Sequence, residues 1–283
     1  MKKMYDMFMF LNENDLLELR INQHWDFVEK FIIIEAGQTH SGNSKGYNFD
    51  TERFEKYKEK IIYVQHDSLD DLIEQHPELL DYDTHHFNVG PQNNRDTWKR
   101  ENIQINSGML TLHDLEVADD DLVNWGGLDE MMRKESYDIA VKQVFENPEI
   151  NRSNAIVGFE LSCYAYKFNL YHQKTGGCGL ATYGLFKKYL PGLMRISGLS
   201  QGLGTHYQVP NGGWHFCSVV KDSAGLLYKY KNFAHAAECT DASDELRAIQ
   251  KVFDDYQLKP VEIDESYPRY LVENLQAYKD YIY

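Results

Sequence analysis

Residues 119–131, DDDLVNWGGLDEM, run from three consecutive aspartates through a short apolar segment into an acidic turn. Carboxylates gathered where a strand ends offer hard oxygen ligands, the kind that hold magnesium or manganese. Asp129 is set for that work, and Glu130 follows it. Two residues before Asp129, where a second carboxylate would complete the pair, the chain has Gly127. The turn is thus a metal site with one acid removed, a site that works with one acid, or a turn without chemistry. The aspartates at 119–121 read as a solvated loop leading into the strand.

The elements that must position this turn alternate in type. YDMFMFL (5–11) reads as a strand, and NDLLELRINQHW (14–25) as a helix with Leu16, Leu17, Leu19 and Ile21 at helical spacing and Asn14 as its N-cap. FIIIEA (31–36) is a β-branched run, ERFEKYKEK (52–60) a polar amphipathic helix and IIYVQH (61–66) a third strand. That order implies right-handed crossovers and a parallel, doubly wound sheet. Ligands of such sheets bind beyond the carboxyl ends of the strands. Phe10, Asn12 and Glu13 lie there after the first strand, Glu35 after the second, and the acidic turn after the fourth. A carboxylate in the place of Glu35 can hydrogen-bond a ribose in nucleotide-binding sheets; a solvated loop acid is the bland reading.

The middle of the chain is less regular. Residues 70–94 are turn-rich with a short helix near their start. Residues 95–115 read as a long helix burying Trp98, Ile105, Met109 and Leu112, against which Gly108 costs about 1 kcal/mol of propensity. After the fourth strand we expect a helix around 136–146, then strands 155–161 and 163–170 paired antiparallel. A helix over 179–190 stops at Pro191, and a strand spans 212–220. Helices follow around 223–236 and 243–256, and a last one starts near Pro268.

Composition narrows the classes. With 283 residues and 42% hydrophobic content, one large α/β domain over 1–283 is expected. The formal charge of −15 sets a field that repels nucleic acid and anionic lipid. No stretch approaches the ~20 apolar residues of a membrane span. The apolar run near the N-terminus is strand-length and lacks a small-residue cleavage site, so it is expected to be the first strand of the fold. Cys163, Cys178, Cys217 and Cys239 form no C-x-x-C pair, which argues against a compact zinc site and for thiols in a reducing compartment. Oligomeric state leaves no sign in the sequence.

Several motifs together resemble glycosyltransferase family 17, the β-1,4-N-acetylglucosaminyltransferase family that adds bisecting N-acetylglucosamine to animal N-glycans. They are N-E-x-D-L-L-E-x-R at 12–20, V-x-K-F-I-I-x-E at 28–35, the Thr39–Ser41–Gly42 turn, Arg95–Asp96, GLDE, NGGWHF at 211–216, FAH at 233–235 and PRYLVEN at 268–274. Each is weak alone; their order along nearly the whole chain is the signal. The resemblance implies a GT-A fold, with a nucleotide-sugar donor on a Rossmann-like, mostly parallel sheet (1–135), an acceptor face from 136–283, helices on both faces and a divalent metal, manganese or magnesium, at a D-x-D turn. It also implies inversion at the anomeric carbon. A departing nucleoside diphosphate needs a cation, and inversion needs one base for the acceptor hydroxyl. Family members usually read S-D-x-D-E-I where this chain has Gly126-Gly127-Leu128-Asp129-Glu130-Met131. In GT-A enzymes the last acid of the triplet is the direct metal ligand, so Asp129 inherits that assignment and Gly127 falls where an acid would meet the donor.

The remaining candidates follow from the same comparison. His215 ends a strand after two glycines that permit close backbone approach and is a candidate for the metal or the diphosphate, a core histidine being the alternative. His235 is a further metal candidate and shares a helix face with Glu238. Glu238 is a candidate base, with Glu160 behind it. Arg95 could clamp a diphosphate with its planar fork, whereas Asp96 also fits a helix start favoured by the dipole. Trp125 and Trp214 could stack on a sugar, although core filling is the commoner use. The sequence thus points to an inverting, metal-assisted glycosyltransferase using a UDP-sugar such as UDP-N-acetylglucosamine and a saccharide or glycoconjugate acceptor, in the cytoplasm of a microbe or virus. A catalytically impaired carbohydrate- or nucleotide-binding protein on the same scaffold is the alternative that Gly127 motivates. A nucleic-acid-base glycosyltransferase is a further one, which the charge opposes.

Overall fold

The computed structural model describes residues 2–80, 92–197, 203–236, 239 and 241–283, and gives only the backbone for 92–95 and 195–197. The chain opens with β1 (Met4–Phe10), α1 (Asn14–His24), β2 (Lys30–Ala36) and β3 (Ile61–His66). α2 (Leu69–Gln75), α3 (Gln92–Asp114), β4 (Leu122–Trp125) and β5 (Glu130–Met132) follow. Next come α4 (Lys134–Ala140), β6 (Ala155–Ala165), β7 (Leu170–Thr182), α5 (Tyr183–Lys188), α6 (Pro191–Ser197) and β8 (Thr205–Cys217). α7 (Ser223–Asn232), α8 (Glu245–Asp255), β9 (Lys259–Pro260) and α9 (Arg269–Glu273) complete the described elements.

One nine-stranded sheet runs through the protein in the order β3-β2-β1-β4-β7-β6-β8-β5, with β9 beside β7. Its first four strands are all parallel, the Rossmann-like half expected from the sequence. The other strands are mixed: β7 runs antiparallel to β4 and β6, β6 and β8 are parallel, and β5 returns antiparallel along β8. Alternation along the strands feeds two cores. Phe8, Phe31 and Ile33 meet Leu16 and Leu17 of α1 on one face, and Met7, Ile32 and Ile34 meet Ile105 and Met109 of α3 on the other. Gly108 explains itself here, because a Cβ would strike the Met7 sulfur and lie 2.9 Å from the Ile34 Cδ1. The glycine lets α3 lie against the sheet at the cost of helix propensity.

Several expectations need correction. Asn14 is the first residue of α1 and not its N-cap, its side chain meeting the Asn48 carbonyl and the Asp50 amide instead. Residues 52–60 form only a 3-10 turn at Glu55–Tyr57. Residues 163–165 continue β6, whose hairpin partner is β7. Residues 179–182 end β7, so the helix there begins at Tyr183. β8 starts at Thr205, seven residues before the expected strand, because β6 pairs with its residues 205–209 ahead of the stretch that β5 also pairs, which its polar residues do not advertise.

Candidate active site

A cavity of about 360 Å³ opens at the carboxyl ends of the parallel strands, within the ~300–1,000 Å³ range of small-molecule sites. Phe10, Leu11 and Glu13 line it at and just beyond the end of β1, and Ala36 and Gln38–His40 at and just beyond the end of β2. Residues 127–130 come from the turn after β4, and Trp98 and Glu101 from α3. The second half of the chain adds His215 and Cys217 from β8 and Lys229, Phe233 and His235 from α7 and the segment after it. Residues distant in sequence thus share one wall, which β8 arranges by pairing Glu130 with His215 and donating the Phe216 N–H to the Asp129 carbonyl at 2.8 Å. Gly213 makes that pairing possible, since a Cβ there would collide with the Met131 carbonyl.

Behind the turn lies a wholly buried polar cluster. Arg20, on the inner face of α1, donates Nε and Nη2 to the Asp6 carboxylate at 3.0 and 2.7 Å. Its Nη1 donates to the carbonyls of Gly127, Leu128 and Glu130 at 2.8, 3.1 and 2.6 Å. Asp6 also accepts from Asn124 Nδ2 at 2.6 Å and lies 2.8 Å from His24 Nδ1. His24 Nε2 takes the Met132 N–H at 3.1 Å, which fixes the Nδ1–H tautomer of a neutral ring. Burial favours the neutral acid, but the Arg20 guanidinium and His24 hold the Asp6 carboxyl well below the usual range. One guanidinium fork therefore ties β1 and α1 to three carbonyls of the acidic turn. In the sequence Arg20 stands only as the last residue of the 12–20 motif, although its place carries a further signal: a charged residue four after Leu16 and three after Leu17, with His24 four further on, on the apolar stripe.

In front of the turn, Asp129 reaches the cavity wall between two cations. Lys229 Nζ lies 3.2 Å from Asp129 Oδ2 and 3.8 Å from Glu13 Oε1. His215 Nε2 lies 3.9 Å from Asp129 Oδ1. Burial acts to lower both pKa values, yet Asp129 and Glu13 hold Lys229 above its ordinary value. Against burial, a Cys217 thiolate and the Asp129 and Glu130 carboxylates raise His215 to about 9, and His215 in turn helps lower Cys217. Glu13 Oε2 accepts the Leu11 and Asn12 amides at 3.2 and 3.1 Å, and Glu130 Oε2 accepts the Gly127 amide at 2.7 Å. Gly127 leaves room for this arrangement, because a Cβ would run into the Asp129 carboxylate.

The structure brings Phe10, Glu13, Gly127, Asp129, His215 and His235 to one cavity and leaves other candidates elsewhere. Glu35 is buried on the opposite side of β2 from Ala36 and is saturated: Lys45 Nζ and the Asn48 amide donate to one oxygen, the Phe49 amide and the Tyr63 hydroxyl to the other. It holds the 45–49 loop and does not reach a ribose site. Glu160 accepts from Lys174 Nζ at 2.7 Å and from the Asn211 amide at 3.1 Å and is not part of the cavity lining. Trp214 is core, with Nε1 donating to the Ser266 carbonyl at 3.1 Å and Arg133 stacked on its ring at 4.0 Å. Trp125 packs edge-on to Phe186 in the second core. Asn12 is exposed, and neither it nor Asp96 lines the cavity. The side chain of Arg95 and all of Glu238 lie outside the described residues.

The expected divalent ion does not fit the donor set in this arrangement. Asp129 faces the Lys229 ammonium at 3.2 Å, His215 Nε2 stands 3.9 Å from Asp129, and His235 is exposed with its ring edge-on to Trp98 at 4.7 Å. Among the described residues no three His, Cys, Asp or Glu side chains gather as a metal group.

A family model for glycosyltransferase family 17 matches residues 1–258 of the 283. The chain belongs to glycosyltransferase family 17. It is accordingly an enzyme of sugar transfer, on a mixed α/β fold. Among solved structures it is similar to glucosyl-3-phosphoglycerate synthase from Mycobacterium tuberculosis, determined in complex with Mn2+, uridine diphosphate and phosphoglyceric acid. The identity is 11% over 96% of this chain and 91% of that one, with a TM-score of 0.38. No curated protein matches at a significant level. No helix among the described residues of this family 17 member is long and apolar enough to cross a membrane.

Proposed function

We propose that this family 17 enzyme is an inverting transferase that moves N-acetylglucosamine from UDP-N-acetylglucosamine to a saccharide or glycoconjugate acceptor. The observation that carries the reading is the meeting, at the carboxyl ends of β1 and β2, of the acidic turn with the cationic side chains of β8 and α7. In parallel α/β sheets that edge takes the nucleotide. The uridine would enter over Phe10 and Glu13, and the diphosphate would lie toward Asp129, Lys229 and His215. The region 1–135 then supplies most of the donor site, and 136–283 supplies the acceptor side.

Cleavage of the bond between sugar and diphosphate leaves charge on the phosphate oxygens, and a preorganised ammonium or imidazolium stabilises it without reorganising water. Inversion needs one base for the acceptor hydroxyl. The carboxylates lining the cavity are Glu13, Glu101, Asp129 and Glu130, of which Glu13 and Asp129 already face Lys229. The test is a panel of nucleotide sugars offered with oligosaccharide acceptors, followed by UDP release and the anomeric configuration of the product by NMR. A β-linked product from α-linked UDP-N-acetylglucosamine is expected. A product that keeps the α configuration, or a preference for a donor with another base, refutes the assignment. Donor binding with neither hydrolysis nor transfer would identify a binding protein instead.

A further inference from the structure

We propose that Lys229 is the resident cation of the donor site, so that this protein binds a nucleoside diphosphate without a divalent metal ion. The inference rests on the reading of the cavity as a nucleotide-sugar site. Its first support is position: the Lys229 ammonium stands 3.2 Å from Asp129 and 3.8 Å from Glu13, on the oxygens a divalent ion would need. An ion seated there would meet a positive charge within a few ångströms, with the Lys229 and Asp129 side chains only 16% and 17% exposed, where solvent screens the repulsion less than at the surface.

The second support is the turn itself. With Gly127 in place of the first acid, the turn offers Asp129 alone, and that carboxylate occupies the space a side chain at 127 would need. The single acid of the turn and the Lys229 ammonium are complementary: one carboxylate with a fixed positive charge facing it leaves the site ready for an anion.

The third support is that Lys229 is held in place. It sits inside α7, whose first turn is capped by Asp222 accepting the Gly225 amide at 2.8 Å. The Ser41 hydroxyl donates to the neighbouring Lys231 carbonyl at 2.8 Å, which ties α7 to the Thr39–Gly42 turn. That turn depends on Gly42, whose φ is +88°, and closes with the Gly42 amide donating to the Thr39 carbonyl at 2.9 Å. Lys229 therefore enters the cavity from a helix fixed to the nucleotide-side loops, and its side chain is 16% exposed. The diphosphate of a bound donor would accept hydrogen bonds from Lys229 Nζ and His215 Nε2, while Asp129 keeps both groups aimed at it.

The experiment is isothermal titration of UDP into the full chain, first stripped with EDTA, with and without manganese chloride. Wild type is expected to bind UDP equally well in both. Lys229→Ala and Lys229→Met should bind about 10- to 100-fold more weakly without metal, the size of a lost charged hydrogen bond. Manganese should restore part of that loss in these variants only, and their bound ion should register as a fall in free manganese by electron paramagnetic resonance. Lys229→Arg should bind without metal as wild type does. UDP binding by wild type only in the presence of manganese, or full metal-free binding by the Ala and Met variants, overturns the proposal. If those two variants fail to fold, the wild-type comparison and Lys229→Arg decide it. No UDP binding by wild type under either condition overturns the nucleotide reading of the cavity as well.

Discussion

Replacing Arg20 separates what holds the fold from what holds the site. Arg20→Ala removes two donors from the buried Asp6 carboxylate and one fork arm from the carbonyls of Gly127, Leu128 and Glu130. Breaking a buried ion pair by deleting one partner costs about 3–5 kcal/mol. Asp6 keeps Asn124 and His24, which offsets part of this, whereas the three carbonyls lose a charged donor. We therefore expect Arg20→Ala to lower unfolding stability by about 4 kcal/mol, a fall in melting midpoint of roughly 10 °C, and to weaken UDP binding because the turn that carries Asp129 is released. Asp6→Leu combined with Arg20→Met should regain much of the stability, since a buried pair replaced by apolar groups of similar volume is often neutral. The same double variant should remain defective in UDP binding. Urea denaturation and UDP titration on the three proteins measure both quantities. A loss below about 1 kcal/mol in Arg20→Ala, or wild-type UDP affinity in the double variant, would refute the view that this guanidinium positions the turn.

Gly108→Ala should destabilise by about 1–3 kcal/mol through overpacking against Met7 and Ile34, outweighing the ~1 kcal/mol gained in helix propensity; a raised urea midpoint would contradict this. His24 is neutral in the fold, its pKa pushed below 6.5 first by burial, so an unfolded chain binds more protons just below pH 6.5. Stability should therefore be full above pH 6.5 and fall as the pH drops from there through the lowered folded value, a slope that His24→Gln should lack in urea midpoints measured across the acid range. Glu160→Gln should leave transfer rate and UDP affinity unchanged, because Glu160 meets Lys174 and Asn211 outside the cavity; a large fall in kcat would mark it as a base. Asp129→Ala should abolish most donor binding by releasing Lys229 and His215 from their shared anchor, and intact UDP affinity in that variant would remove Asp129 from the site.

The sequence by itself determined the parallel half of the fold and the address of the site. β1, β2 and β4 announce themselves as apolar runs because each buries both faces, β3 reads as a strand from its β-branched residues although it lies half-buried at the sheet edge, and a strand end followed by an acid is readable wherever it falls. Family membership was legible for a related reason: short motifs in a fixed order survive in the primary sequence even where no single one is specific. Only the tertiary structure decided how the site is built. β8 carries polar residues and a Pro-Asn-Gly-Gly interruption, so its pairing with β6 and β5, and with it the meeting of His215 and Asp129, depends on partners far away in the chain. Glu35 and Glu13 look alike on paper as acids at strand ends. Side-chain alternation sends Glu35 into the core, where four donors consume it, and leaves Glu13 at the cavity. Lys229 belongs to a helix whose sequence reads as an ordinary amphipathic segment, and nothing local marks the one lysine that the packing of α7 turns toward the acidic turn. Charge, unlike apolar periodicity, acquires its meaning from what stands opposite it, and that is settled only when distant elements meet.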